Sequence, residues 1–181
     1  MDIKVFYSPQ PDELNDTSAA YEYAKRTFDT LSNKGNVNNI VIQLLSVDNL
    51  NSLRDVEVNP EENNSPSITF IIVSCGADGS INRVIRKIMR NLKNHKTSND
   101  EEGGLPSNNG NIAIALLGHA RCENSANQMK DTIFNQGRKF HKCIEASSSS
   151  TLDISARLEC QVELEGPDEP GGFDEWVNSN V

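Results

Sequence analysis

The side chains able to do chemistry fall in three short stretches. Ser74-Cys75-Gly76-Ala77-Asp78-Gly79 sets a hydroxyl and a thiol directly before a glycine-bearing turn. Gly118-His119 opens a second stretch, with Cys122 and Asn124 shortly after. Ser8, Gln10, Thr17 and Ser18 supply hydroxyl and amide groups around the third, Ser8-Pro9-Gln10-Pro11-Asp12. Small residues let a ligand approach backbone N–H groups closely. Thiols beside an imidazole act as metal ligands or a redox pair when they converge at bonding distance. The four cysteines have no regular spacing, however, and match no metal motif. They read as reduced thiols packed at strand ends, not as a disulfide frame. The chain contains no G-x-S-x-G, no Walker lysine loop and no H-E-x-x-H, so hydrolase or transferase chemistry has no support.

The elements that position these stretches centre on Ser67 to Leu92. Ile68 to Val73 is a continuous apolar run, too short for a helix and rich in β-branched residues, the pattern of a strand buried on both faces. After the glycine turn, Ile81, Val84, Ile85, Ile88, Met89 and Leu92 recur at helical spacing. Strand, turn and amphipathic helix make half of a parallel βαβ unit. Ile3 to Tyr7 reads as a first strand, followed by a helix over about Thr17 to Leu31 with Asn15 or Asp16 as its cap. Ala20, Tyr21, Ala24, Phe28 and Leu31 share the apolar side of that helix, and Gly35 ends it. Asn39 to Val47 is a second strand and Asn111 to Gly118 a fourth. A helix is expected over Asn124 to Gln136, stopped by Gly137, and a short fifth strand over Phe140 to Ile144.

Leu152 to Leu164 alternates strictly, with apolar residues at even positions and mostly charged or polar ones at odd positions. That is a strand pattern, expected as an added edge strand or flap whose acidic face discourages edge-to-edge association. Phe173 to Val177 starts a closing helix. Polar connectors are expected over 56–66, 95–110 and 166–172, within one domain spanning 1–181.

Composition sets further bounds. The 181 residues carry a formal charge of −9, which argues against general nucleic-acid binding because that rests on neutralising phosphates. Mean hydropathy is −0.53, and no apolar run approaches the ~20 residues of a membrane span. Met1-Asp2-Ile3 enters a strand directly, without a signal peptide, so the expected address is the cytoplasm. Against this acidic background Arg83, Arg86, Lys87, Arg90 and Lys93 line one side of the helix after Gly79, with no acid among them. A solvated face is the plain reading; a docking site for an acidic protein, or for the Asn99-Asp100-Glu101-Glu102 run, is the functional one.

With three loops at the carboxyl ends of strands one, three and four, where open α/β sheets bind ligands, the chain resembles the flavodoxin-like FMN domains. The likeness is to those of diflavin reductases and to the domain that precedes the radical enzymes of wybutosine synthesis. Val5-Phe6-Tyr7 with Gln10 resembles the family's first strand and phosphate loop. Ile72-Val73-Ser74 with Asp78-Gly79 resembles its second loop, Leu116-Leu117-Gly118 the start of its third, and Phe173-Asp174-Glu175-Trp176 its closing helix. The resemblance covers nearly the whole chain. It implies a three-layer sandwich around a five-stranded parallel sheet of order 2-1-3-4-5.

The resemblance also implies FMN that takes electrons from a reductase and passes them to an acceptor protein; the charge of the helix offers Arg83, Arg86, Lys87 and Arg90 as the docking face for such a partner. The phosphate would meet Ser8, Gln10 and Thr17. The ring would meet Ser74, Cys75, Gly76, Ala77, Gly79, Gly118, His119, Cys122 and Asn124. The chemical positions depart from the family. Pro9 and Pro11 remove two N–H donors, Asp12, Glu13 and Asp16 put negative charge where a dianion would sit, and Gly76 and Asn124 stand where aromatic shields are usual. Two readings therefore follow: an FMN-dependent electron-transfer domain, or a flavin-free flavodoxin-like module acting in protein interaction or regulation.

Overall fold

The computed structural model describes residues 1–11, 13–32, 34–48, 67–97, 110–119, 132–147, 157–162 and 172–181. In chain order these form β1 (Asp2–Ser8), α1 (Ala19–Ser32), β2 (Asn39–Leu44), β3 (Ser67–Cys75), α2 (Arg83–Thr97), β4 (Gly110–His119), α3 (Asn135–Ser147), β5 (Leu158–Val162) and α4 (Phe173–Ser179). The sheet is five-stranded, in the order β2-β1-β3-β4-β5, and every pairing is parallel.

The apolar runs place β3 and β4 at the centre, because a strand covered on both faces has no polar side to offer. Alternation along β3 then divides the core. Ile71, Val73 and Cys75 join Ile112, Ile114 and Leu116 of β4 beneath Ile85, Ile88 and Leu92 of α2 and Phe140 and Ile144 of α3. Ile68, Phe70 and Ile72 join Ala113, Ala115 and Leu117 beneath Ala20, Ala24 and Leu31 of α1 and Phe173, Trp176 and Val177 of α4. Phe70 meets Trp176 edge to face, with ring centroids 5.5 Å apart. The closing helix is thus fastened over the middle of the sheet. Arg26 of α1 also holds Asp174 with two bonds of 2.9 Å.

The strand order agrees with the sequence reading, but the fifth strand is a different segment. Phe140 to Ile144 lies inside α3, whose buried residues are Gly137, Phe140, His141 and Ile144. That three- and four-residue spacing is helical, and a five-residue window is too short to separate it from a strand. Gly137 does not stop a helix; it lies in one. A Cβ there would come within 2.8 Å of the Leu116 methyls and 3.1 Å of the Cys75 sulfur, so glycine lets α3 settle against β4. Of the helix expected over Asn124 to Gln136, the described part ends at Ile133, and Phe134 turns into α3.

The edge beyond β4 goes to the alternating segment. Leu158 pairs with Ala115 and Val162 with His119, and Cys160 is buried against the α1 and α4 side. The rest of Leu152 to Leu164 lies outside the described residues. Its polar face is not an exposed acidic edge at the described positions. Glu159 receives two bonds from Arg138 of α3, at 2.7 and 2.8 Å, and one from Arg157 at 2.8 Å.

Two smaller corrections concern α1. Its cap is Ser18, whose Oγ accepts the Tyr21 N–H at 3.2 Å, not Asn15 or Asp16. The buried stripe runs through Thr27 in place of Phe28, which is 39% exposed. Thr27 tolerates burial because its hydroxyl donates to the Tyr23 carbonyl at 2.9 Å. α2 continues through Thr97, into the expected connector 95–110, and Gly172 of the expected connector 166–172 precedes α4. The connector 56–66 lies outside the described residues.

Candidate functional site

Parallel pairing carries the ends of β1, β3 and β4 to one edge of the sheet. Ser8 stands opposite Val73, Ser74 opposite Leu117 and Cys75 opposite Gly118. The loops that leave this edge are tied together. Asn82 donates from its side-chain amide to the Pro9 carbonyl at 3.3 Å and accepts the Val84 N–H at 3.0 Å. One residue therefore caps α2 and anchors it to the first loop. Gly76 lies beside the Gln10 side chain: a Cβ on Gly76 would reach the Gln10 Oε1 at 3.3 Å.

The first loop closes on itself. The Gln10 N–H donates to the Glu13 carboxylate at 3.0 Å, and the Glu13 N–H returns to the Gln10 carbonyl at 3.3 Å. Thr17 is exposed, and its N–H goes to the Leu14 carbonyl at 3.4 Å. Ser18 Oγ donates to the Asn15 carbonyl while it caps the helix. The Gln10, Glu13, Thr17 and Tyr21 N–H groups around the start of α1, where an anion would look for donors, are thus committed to the protein's own oxygens. One of those oxygens belongs to a carboxylate.

The second loop is equally self-contained. The Gly76 N–H bonds the Ser80 carbonyl and the Gly79 N–H bonds the Gly76 carbonyl, each at 2.8 Å. The Ser80 N–H reaches the Asp78 carboxylate at 2.8 Å. Bonds from Ser80 hold the Asp78 carboxyl below its ordinary value. Gly79 has φ of 79° and lies so close to the Thr132 carbonyl oxygen that a Cβ would collide with it. Ala77 and Asp78 are exposed at the tip.

Other expected site residues separate by face. Ser74 points to the α1 and α4 side, and its buried hydroxyl has no hydrogen-bond partner among the described residues. Cys75 points the opposite way, fully buried beneath α3, and burial pushes its thiol up to about 12. It belongs to the core. Gly118 packs under Ile133 and Phe134, where a Cβ would come within 2.6 to 2.9 Å of their side chains. His119 ends β4, while Cys122 and Asn124 lie outside the described residues. Cys143 is not at a strand end: it sits half-buried on α3. Among the described residues no His, Cys, Asp and Glu group could hold a metal.

Glu13 and Asn82 are the residues whose roles sequence reasoning missed. Glu13 was legible only as negative charge. Its spacing of three from Gln10 is the usual reach of a side chain back to a backbone N–H, which is the signal available. Asn82 before Arg83 has the composition of an N-cap.

No family model and no curated protein matches the sequence. Solved structures do match the fold. Oxidised flavodoxin 1 from Bacillus cereus superposes with a TM-score of 0.50 at 10% identity, covering 99% of this chain and 95% of that one. A cysteine-to-serine mutant of flavodoxin from Pseudomonas aeruginosa gives 0.51 at 12% identity, with the same coverage. The chain has a flavodoxin-like fold. Among the described residues no helix is long and apolar enough to cross a membrane.

The cofactor suggested by that fold can be tested against the donors present. A phosphate dianion needs unengaged N–H groups at the start of α1. Here the Gln10 and Thr17 N–H groups are engaged, the Glu13 carboxylate bonds the loop backbone, and Asp16 adds a second, exposed acid to the same stretch. As they stand, the Gln10 and Thr17 N–H groups of this loop do not fit an FMN phosphate.

Proposed function

We propose that this flavodoxin-like domain serves as a protein-interaction module whose first loop does not take a phosphate. The observation that carries the reading is the 3.0 Å bond from the Gln10 N–H to the Glu13 carboxylate. In this reading the Glu13 carboxylate takes a backbone donor that a ligand phosphate at this loop would need. Displacing it would leave a carboxylate beside a dianion, and like charges at such range disfavour binding. The self-bonded second loop supports the same reading, because its Gly76, Gly79 and Ser80 N–H groups are engaged internally.

A second reading is favoured by the superposition on an oxidised flavodoxin over 99% of the chain. In it the domain is of the electron-transfer type, carries FMN and passes electrons between a reductase and an acceptor protein. Flavin would then be held at the ring end, near Ser74 and the exposed Ala77. The phosphate would add little.

An absorption spectrum of the purified protein, followed by titration with FMN and riboflavin, separates the two. The interaction reading expects no flavin absorption and no preference for FMN over riboflavin. Copurified flavin with equal affinity for both supports the second reading. Tight binding that depends strongly on the phosphate would sink the account of the first loop.

A further inference from the structure

The described arginines fall into two sets. Arg26, Arg138 and Arg157 are each bonded to an acid, Asp174 or Glu159, at 2.7 to 2.9 Å. Arg83, Arg86 and Arg90 are exposed and have no ion pair among the described residues. Lys87 and Lys93 share their arc of α2 and are exposed and unpaired in the same sense. Their spacing spans about a third of the helix circumference at 100° per residue. The other side of α2 is already used, with Ile85, Ile88 and Leu92 buried in the core. An acidic protein that pairs its other described arginines has left one face entirely cationic.

We infer that this face of α2 docks a carboxylate-rich segment of another protein. Three of the five cations are arginines, whose planar forks match carboxylates with two parallel bonds. From Arg83 to Lys93 the helix rises about 15 Å, so a matching segment carries several acids over that length, as one face of an acidic helix does. The formal charge of −9 repels dense phosphate polyanions and anionic lipid surfaces at long range. With no apolar residue left on the outer face to enter a bilayer, a membrane is the poorer fit. The inference does not rest on the state of the first loop, since a flavin-loaded chain would present the same face.

The test uses the full chain and a fluorescent decaglutamate peptide, titrated by anisotropy at about 20 mM and about 0.5 M salt, where screening lengths differ several-fold. Comparison probes are a short DNA duplex and phosphatidylserine-containing vesicles. The variant Arg83→Glu/Arg86→Glu/Arg90→Glu alters only exposed side chains that are unpaired among the described residues, so it should fold, as circular dichroism would verify. The control Lys139→Glu/Lys142→Glu reverses two charges, against three in the α2 variant, on exposed positions of α3. The expected result is decaglutamate binding at low salt, lost at high salt and weakened about 10- to 100-fold by the α2 variant but little by the control, as a few interfacial ion pairs would give. Absence of low-salt binding, equal weakening by the control, or tighter α2-dependent binding of DNA or vesicles would each overturn the inference.

Discussion

Replacing Glu159 by Gln removes the charge that fastens the edge strand while keeping its size. Glu159 accepts two bonds from Arg138 of α3 and one from Arg157, all at 2.7 to 2.8 Å. Hydrogen bonds to a charged group contribute about 1.5–3 kcal/mol where well buried. Solvent reaches this cluster, with 21% of the Glu159 side chain and 29% of Arg138 exposed, and screening reduces the effect to about 1–2 kcal/mol. For a chain of this size that lowers Tm by about 2–8 °C.

Acid titration gives this prediction its sharpest form. The Arg138 bonds, and then the Arg157 charge, hold the Glu159 carboxyl below its ordinary 4.5. A depressed folded value means the stabilisation is complete above the unfolded value and lost as pH falls through the folded one. Wild type and variant should therefore differ fully at pH 7, and the difference should shrink toward zero once the Glu159 carboxyl is protonated in both the folded and the unfolded state. Urea unfolding at a series of pH values measures this directly. A double-mutant cycle with Arg138→Gln should return a coupling of about 0.5–1.5 kcal/mol at pH 7. A difference that persists undiminished in acid would show that packing, not the ion cluster, anchors β5.

Gly79→Ala should destabilise by at least about 1–2 kcal/mol, the cost of a left-handed residue with a Cβ, and more because that Cβ meets the Thr132 carbonyl oxygen; Gly35→Ala, with nothing within 4 Å, should be near neutral. A thiol reagent at pH 8 should spare Cys75 and Cys160, which burial pushes up to about 12 and about 11, while half-buried Cys143 reacts; peptide mapping of the labelled protein checks this, and fast labelling of Cys75 would contradict its place in the core. Glu13→Ala should raise the preference for FMN over riboflavin by about tenfold, the worth of one amide donor regained and one charge removed; an unchanged ratio would mean that Glu13 does not close the loop.

Much of this fold was legible in local pattern. Strands buried on both faces read as unbroken apolar runs, so β3 and β4 stood out as central. The period of Ile81, Val84, Ile85, Ile88 and Leu92 marked α2 and its buried side. These signals belong to burial, and burial is written every two or every three to four residues. The strand order agrees with the observed sheet, although the order drew on family resemblance as well as on pattern.

The tertiary structure decided what depends on distant partners. Phe140 to Ile144 has spacing compatible with either element. It became helix because α3 could settle on Leu116 through Gly137, leaving the sheet edge to Leu158–Val162. Thr27 displaced Phe28 from the core through a bond to its own helix turn. At the loop edge, composition showed prolines and acids but not their geometry. Whether Glu13 points to solvent or takes the Gln10 N–H depends on backbone dihedrals across the turn, and no periodicity encodes those. The sequence alone determined the layers and the charge of α2; only the folded chain decided that the cations of α2 stand unpaired among the described residues while Arg26 and Arg138 found acids brought from distant parts of the chain.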